Sequence, residues 1–320
     1  MKLRIAFQMD PINNINISED TTFRIAEEAQ HRGHKLFYFL PKDLTLFEND
    51  LLCEGQELSV KRKEGDHFSL GPRIKLNLKN DVDILWLRQD PPFDMSYITT
   101  TYLLDFLQKE TLVVNNPFWV RNYPEKLLVL NYPDLIPPTI VSRNIGMLRS
   151  FREKHGDVVV KPLYGNGGAG IFKIEENDPN LNSLVELFND ISREPIIMQK
   201  YLSDVVFGDK RIILVNGTVA GAINRVPSQG EIRSNMHVGG VAVAVELTER
   251  DLEICNRVGP LMKEKGQVLV GLDIIGGMLT EINLTSPTGV QELERFDDIN
   301  VAKSIWHSLE LKHRTEFGLQ

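Results

Sequence analysis

Val158-Val-Val-Lys-Pro-Leu-Tyr-Gly-Asn-Gly-Gly-Ala-Gly-Ile-Phe-Lys-Ile174 joins a β-branched run ending in Lys161, four glycines within six residues, and a second short apolar run. β-Branched residues favour strands and clustered glycines interrupt them, so the stretch predicts strand, loop, strand. Gly165, Gly167, Gly168 and Gly170 lack a Cβ, can take φ > 0, and can turn backbone N–H groups toward an anion. Lys161 would add positive charge there. Neither the dinucleotide spacing GxGxxG nor the Walker spacing fits, and the alternating Ile171-Phe-Lys-Ile174 follows where both would require a helix. A simple turn between two strands is the plain alternative, so the rest of the chain must carry the phosphate reading.

The chain has 320 residues, 42% of them apolar and 25% charged, which suits two or three domains with real cores. A formal net charge of -8 without a long basic run argues against nonspecific nucleic-acid binding and for small-molecule partners. Cys53 and Cys255 are the two cysteines, with no metal-ligand spacing, so neither a disulfide framework nor a zinc site is expected. The first ten residues are too short an apolar run for a signal peptide, and no stretch approaches the ~20 apolar residues of a membrane span. A cytoplasmic protein without membrane or nucleic-acid partners is the expectation.

Leu3 to Met9 predicts a strand, followed by the loop from Asp10 to Ile17, a helix capped at Ser18 and running to Arg32-Gly33, and a second strand from His34 to Leu40. This opening indicates a parallel sheet, in which ligands bind beyond the strand C-termini, where Asp10 lies. Residues 44 to 80 predict irregular hairpins, and Val82 to Leu87 a buried strand ending in Arg88-Gln-Asp-Pro-Pro-Phe-Asp94. Proline pairs and charges at a strand end suggest a fixed loop displaying Arg88 and Asp90, against the alternative of a solvated turn. A helix over 97–108, a strand over 111–115 and a helix starting at Pro117 complete a first domain near residue 122.

A short helix over 123–128 carries Lys126 in its first turns, and strand 139–142, helix 145–155, helix 181–191 and strand 196–200 surround the glycine-rich loop. Beyond it, Asn216-Gly217 between alternating apolar runs signals a two-residue hairpin, with Arg211 near Ala222 and Arg225 near the Gly208-Asp209 strand end. The polar stretch 228–240, charged at Arg233, is a candidate lid before a helix over 248–265. Asp273 and Glu281 are carboxylates inside apolar runs, and Glu281 and Asn283 share one strand face. A two-residue Gly276-Gly277 loop would put Asp273 and Glu281 on opposite faces. A three-residue loop or a bulge would put them together, and this is the expected arrangement. Two carboxylates and an amide oxygen are hard ligands that suit Mg²⁺, against the alternative of an acidic rim on a hairpin.

In this order these elements resemble the ATP-grasp superfamily. The closer similarity is to the prokaryotic glutathione synthase family, through Met9-Asp-Pro-Ile, Arg88-Gln-Asp-Pro-Pro-Phe-Asp94, Lys161-Pro-Leu-Tyr-Gly-Asn-Gly-Gly, Gly208-Asp-Lys-Arg211, Asn235 with Gly239-Gly240, Val270-Gly-Leu-Asp-Ile-Ile-Gly276 and Thr280-Glu-Ile-Asn-Leu-Thr-Ser-Pro-Thr288. The chain departs from the family's pattern at Gln89, where lysine is usual, and at Val241, where arginine occurs.

The resemblance implies an α/β and α+β protein: an N-terminal parallel-sheet pre-ATP-grasp domain over 1–122, then an ATP-grasp fold of two α+β subdomains over 123–200 and 201–320. It implies a homotetramer that uses ATP and Mg²⁺ (or Mn²⁺) to join γ-glutamylcysteine to glycine. Lys126, Lys161, Gly165, Asn166, Gly167 and Gly168 would meet phosphates, Gln199, Tyr201 and Leu202 the adenine, and Asp209 the ribose or a substrate group. Asp273, Glu281 and Asn283 would hold the metal, Arg211, Arg225 and Arg233 would serve the chemistry, and Asp10, Arg88, Asp90, Ser286, Pro287 and Thr288 the substrates. Two other readings compete: an ATP-grasp ligase with a different acceptor, and a nucleotide-binding protein without turnover.

Overall fold

The computed structural model describes residues 2–228, 230–231, 233–234, 239–297 and 299–318. Strands β1 (Arg4–Met9), β2 (Lys35–Phe39), β3 (Leu44–Phe47), β4 (Asp50–Val60), β5 (Phe68–Asn77), β6 (Ile84–Arg88) and β7 (Leu112–Val114) form the first sheet. Its order is β3-β4-β2-β1-β6-β7, with β5 also paired to β4. β2, β1, β6 and β7 run parallel, and β3 to β5 extend the sheet as antiparallel hairpins. Both faces of the parallel core are covered, so β1 and β6 are buried almost throughout, as a parallel sheet requires.

Helix α1 (Thr21–His31) follows β1. Its cap is Asp20, whose carboxylate accepts from the Phe23 N–H at 2.5 Å, in place of the expected Ser18; Ser18 bonds Asn16 in the preceding turn. After the one-turn α2 (Leu78–Asp81), α3 (Met95–Leu104) starts at its Asp94 cap and tightens into a 3-10 turn over Asp105–Leu107, so the predicted helix begins earlier and ends sooner. α4 (Pro117–Asn122) and α5 (Glu125–Leu128) lead out of the first sheet.

The second sheet is antiparallel, ordered β10-β9-β11-β8, from β8 (Thr139–Ser142), β9 (Val158–Pro162), β10 (Phe172–Ile174) and β11 (Ile196–Lys200). α6 (Ile145–His155) and α7 (Leu181–Ile191) bury Leu148, Leu181, Leu184 and Phe188 against it. The third sheet is also antiparallel, ordered β14-β13-β12-β15-β16, from β12 (Asp209–Val215), β13 (Thr218–Val226), β14 (Val241–Ala244), β15 (Leu269–Ile275) and β16 (Met278–Asn283). α8 (Glu249–Glu264) packs Ile254, Val258 and Met262 against it.

α9 (Val290–Asp297) and α10 (Val301–Phe317) return the chain to the first sheet. The Trp306 indole N–H donates to the Ile25 carbonyl at 2.8 Å and its ring meets Trp86 edge-on at 6.3 Å. One core therefore joins β1, β6, α1 and α10 to Ile213, Ile223 and Leu269 of the third sheet. No described helix is long and apolar enough to cross a membrane.

Candidate active site

β15 and β16 turn through Gly276 and Gly277, both at positive φ, in a two-residue loop. The register then slips: Ile274 faces Leu279, while Asp273 faces Glu281, leaving Thr280 as the extra residue. This bulge is the arrangement expected from the acidic pattern, and it carries both carboxylates to one face. Thr280 Oγ1 fixes it by donating to the Asp273 carbonyl at 3.1 Å. Asn283 follows on the same face and donates to Asp273 Oδ2 at 3.2 Å.

Cations crowd this trio. Arg211 grips Asp273 through Nε and Nη2 at 2.5 and 3.1 Å, and Arg225 Nη2 lies 3.0 Å from the same carboxylate. Lys126 Nζ lies 2.8 Å from Glu281 Oε1. Burial pushes the Asp273 carboxyl up, but the two guanidinium groups outweigh it and hold the group well below the ordinary carboxylate range. Burial pulls Lys126 down, and Glu281 with Glu125 more than offsets it, leaving its ammonium raised. Among the described residues no three His, Cys, Asp or Glu side chains cluster as metal ligands. The candidate set is instead two carboxylates and an amide, hard oxygen donors already held together and neutralised by lysine and arginine, a donor chemistry that fits a magnesium ion.

The two arginines converge through a second bulge. On β13 the register slips around Ala220, so Arg211 faces Ile223 and not Ala222, and Arg225 faces Asp209. Arg225 Nη2 lies 2.6 Å from Asp209 Oδ2, which also accepts from Ser234 Oγ at 2.9 Å, while Asp209 Oδ1 is buried without a partner. Burial pushes the Asp209 carboxyl up to about 6, Arg225 opposing and Asp273 reinforcing the rise.

A cleft between the second and third sheets collects Lys161, Gln199, Tyr201, Leu202, Asp209, Arg233, Asp273 and Glu281. Its apolar walls include Val159, Ile171 and Ile275, which sequence reasoning missed. Val159 and Ile275 stand two residues from Lys161 and Asp273 on their strands, so period-two alternation was the signal that could have found them. Lys161 Nζ donates to Gln199 Oε1 at 2.8 Å, and Gln199 Nε2 donates to Thr139 Oγ1 at 3.1 Å. Burial lowers the Lys161 pKa, with Glu281 opposing.

The glycine-rich loop hangs over Lys126, whose Nζ donates to the Gly165 carbonyl at 2.5 Å. Gly167, Gly168 and Gly170 take positive φ as expected, but Gly165 does not. Its need is close approach: a Cβ there would lie 2.5 Å from Pro162 Cγ. Asn166 accepts from the Ala169 N–H through its carbonyl at 3.1 Å, shaping the turn. In the candidate lid, Arg233 pairs with Glu231 at 2.7 Å. Asn235 lies outside the described residues.

The substrate candidates gather at the C-terminal ends of β1 and β6. Asp10 Oδ2 accepts from the Asp90 N–H at 2.7 Å, and Gln89 accepts from buried Gln8 at 3.0 Å. Arg88 donates to Thr22 Oγ1 at 2.8 Å and to the Pro287 carbonyl at 3.3 Å, and Arg211 Nη1 donates to the Thr288 carbonyl at 3.2 Å. The turn Ser286-Pro287-Thr288 thus links the Asp10 end of the first sheet to the Asp273 trio. Glu125, unremarked in the sequence, braces it: Oε1 accepts from the N–H groups of Leu284 and Thr285 at 2.9 and 3.1 Å and from Thr285 Oγ1 at 2.8 Å.

Two family models match: prokaryotic glutathione synthetase, N-terminal domain, over residues 3–121, and prokaryotic glutathione synthetase, ATP-grasp domain, over residues 125–298. Glutathione synthetase of Mesorhizobium japonicum is 51% identical over 314 residues, 98% of this chain and 100% of that protein. The Brucella melitensis protein of the same name is 50% identical over 312 residues, with coverage of 98% and 100%. Among solved structures, D-cycloserine synthetase DcsG superposes with a TM-score of 0.65 at 14% identity over 96% of this chain and 99% of that one. The ATP-grasp ligase PsnB, complexed with a precursor variant, Mg and ADP, gives 0.61 at 16% identity over 97% and 98%. These two likenesses are of fold alone.

Proposed function

This chain belongs to the prokaryotic glutathione synthetase family of ATP-grasp ligases, and from that premise we propose that it joins γ-glutamylcysteine to glycine through an acyl phosphate, with ATP converted to ADP and phosphate. The observation that carries the reading is a cleft lined by Lys161, Asp273 and Glu281, with Lys126 bonded to Glu281 and Arg211 and Asn283 to Asp273, in a chain similar along its whole length to glutathione synthetases. We take residues 1–122, 123–200 and 201–320 as its working units, with α10 of the last unit docked on the first sheet. Cytoplasmic action as a homotetramer is part of the same proposal.

ATP lies in the cleft with adenine against Val159, Ile171 and Leu202, its amino edge toward the Gln199 to Leu202 segment, and its ribose near Asp209. Lys126 and Lys161 meet the phosphates, and Lys126 exchanges Glu281 and the Gly165 carbonyl for phosphate oxygens. Asp273, Glu281 and Asn283 would hold magnesium, or manganese, whose charge offsets that of the phosphates when bound.

The cysteinyl carboxylate of the dipeptide attacks the γ-phosphorus in line, and Lys161 and Arg211 stabilise charge spread over the transferring oxygens. Glycine's amine then attacks the acyl carbon. Arg225, buried beside Asp209 and Asp273, stabilises the tetrahedral oxyanion until phosphate leaves. Arg233 and the 228–240 stretch exclude water that would hydrolyse the acyl phosphate, and Ser286 to Thr288 take the acceptor. The test is ADP release with ATP and magnesium, each substrate omitted in turn and the product weighed by mass spectrometry. Release that needs both substrates and yields the tripeptide supports the reading; release that needs neither sinks it.

A further inference from the structure

β16 ends at Asn283 on the edge of the third sheet, so on its outer side the chain that follows has no strand of that sheet to pair with. Leu284 and Thr285 are nevertheless buried, at 0% and 7% exposed. Buried backbone groups outside a ladder must find other partners. The Leu284 carbonyl accepts from the Asn115 side-chain amide at 2.9 Å, and its N–H donates to Glu125 Oε1 at 2.9 Å. The same Glu125 oxygen accepts the Thr285 N–H at 3.1 Å and the Thr285 hydroxyl at 2.8 Å. Asn115 spends the rest of its amide on Leu269, at the start of β15.

This fixed point separates two working parts of β16 and its turn. Before it stands Glu281, paired with Lys126, the residue next to Glu125. After it comes the turn Ser286-Pro287-Thr288, whose Pro287 and Thr288 carbonyls accept from Arg88 and Arg211 at 3.3 and 3.2 Å. With proline lacking an N–H, the donors of the turn are the N–H and hydroxyl groups of Ser286 and Thr288, the complement of a carboxylate. Where those donors stand depends on where the turn is rooted, and one carboxylate oxygen holds that root through three hydrogen bonds.

We infer that Glu125 is a positioning residue for the acceptor: it roots the Ser286 to Thr288 turn and thereby sets the affinity for the carboxylate of glycine. It acts through the reach of an accepting oxygen, because all three of its partners at the turn are neutral donors. This rests on the ligase reading above, which gives the turn to the acceptor, and adds the group that holds the turn in place.

The test sets the wild type beside E125Q, E125D and E125A, with the three Michaelis constants measured separately. Glutamine keeps an oxygen at the same reach and loses the charge; aspartate keeps the charge and loses the reach. E125Q should therefore stay within about threefold of the wild type, whereas E125D and E125A should raise the glycine KM by about tenfold or more and leave those of ATP and γ-glutamylcysteine within about threefold. T285V, which removes one of the three donors, should raise the glycine KM by a smaller factor and add little in the E125A background. Amide exchange at Leu284 and Thr285 should be faster in E125A and unchanged in E125Q. Equal rises in all three constants, E125Q as damaged as E125A, or unchanged exchange in E125A overturns the assignment. Calorimetric binding of glycine to protein loaded with magnesium, a non-hydrolysable ATP analogue and γ-glutamylcysteine, read apart from turnover, separates the two claims. Unchanged binding in E125A ends the positioning role even if the wild type makes the tripeptide; Glu125-dependent binding without tripeptide formation ends the reaction reading alone; a wild type that neither binds glycine nor makes the tripeptide ends both.

Discussion

Asp273 and Glu281 face each other across β15 and β16 because Thr280 is bulged out between them, and each carboxylate is already gripped by a cation, Arg211 on one and Lys126 on the other. One inserted residue thus converts a plain hairpin into a charge-balanced donor set.

Glu281→Gln should keep the fold, because the amide oxygen still accepts from Lys126, and should lower turnover by roughly 100-fold by weakening electrostatic stabilisation at the phosphates. Steady-state kinetics beside a thermal melt checks both halves. Near-normal rates would remove Glu281 from the metal set.

Gly165→Ala places a Cβ 2.5 Å from Pro162 Cγ and should displace the loop over Lys126, raising the KM for ATP several-fold. Gly167→Ala meets no atom within 4 Å, so its cost is the strain of φ +60 alone, on the order of 1 kcal/mol. Nucleotide titration of the two variants should rank Gly165 as the more damaging site.

Gln199→Leu removes the acceptor of Lys161 and leaves a buried ammonium with one partner fewer. ATP affinity should fall about tenfold, the loss of one charge-assisted hydrogen bond. Thr139→Val, one step further along the same chain of bonds, should cost less. Equal affinities in all three proteins would show that the Gln199 contact is idle.

Burial pushes the Asp209 carboxyl up to about 6 in the folded protein, from its ordinary value of 3.8. A raised folded pKa means stability is fully present below pH 4 and is lost as pH rises through 6, by a few kcal/mol at most. Relative to Asp209→Asn, the unliganded wild type should therefore lose melting temperature between pH 4 and 6 and stay level above. A difference that does not vary with pH would show an ordinary carboxyl at this position.

The repeat of two and the caps made much of the fold legible. Helix 145–155, helix 181–191 and strand 196–200 stand where the apolar spacing and flanking polar residues put them. Ser18 and Asp20 are both good cap residues, and only packing chooses Asp20. The Asp273 bulge was readable because two acids inside apolar strands needed a common face. The Ala220 bulge carried no such demand, so Arg211 was set one residue away from its true partner. Long-range pairing left no local mark: nothing near Trp306 announces Ile25, and nothing near Glu125 announces Thr285.

The most direct measurement is oxygen transfer. γ-Glutamylcysteine carrying ¹⁸O in its cysteinyl carboxylate would be turned over with ATP, magnesium and glycine, and the released phosphate analysed by mass. Attack of that carboxylate on the γ-phosphorus predicts one ¹⁸O in each phosphate formed with tripeptide. Tripeptide accompanied by unlabelled phosphate would contradict the acyl phosphate and the roles assigned to Lys161 and Arg211.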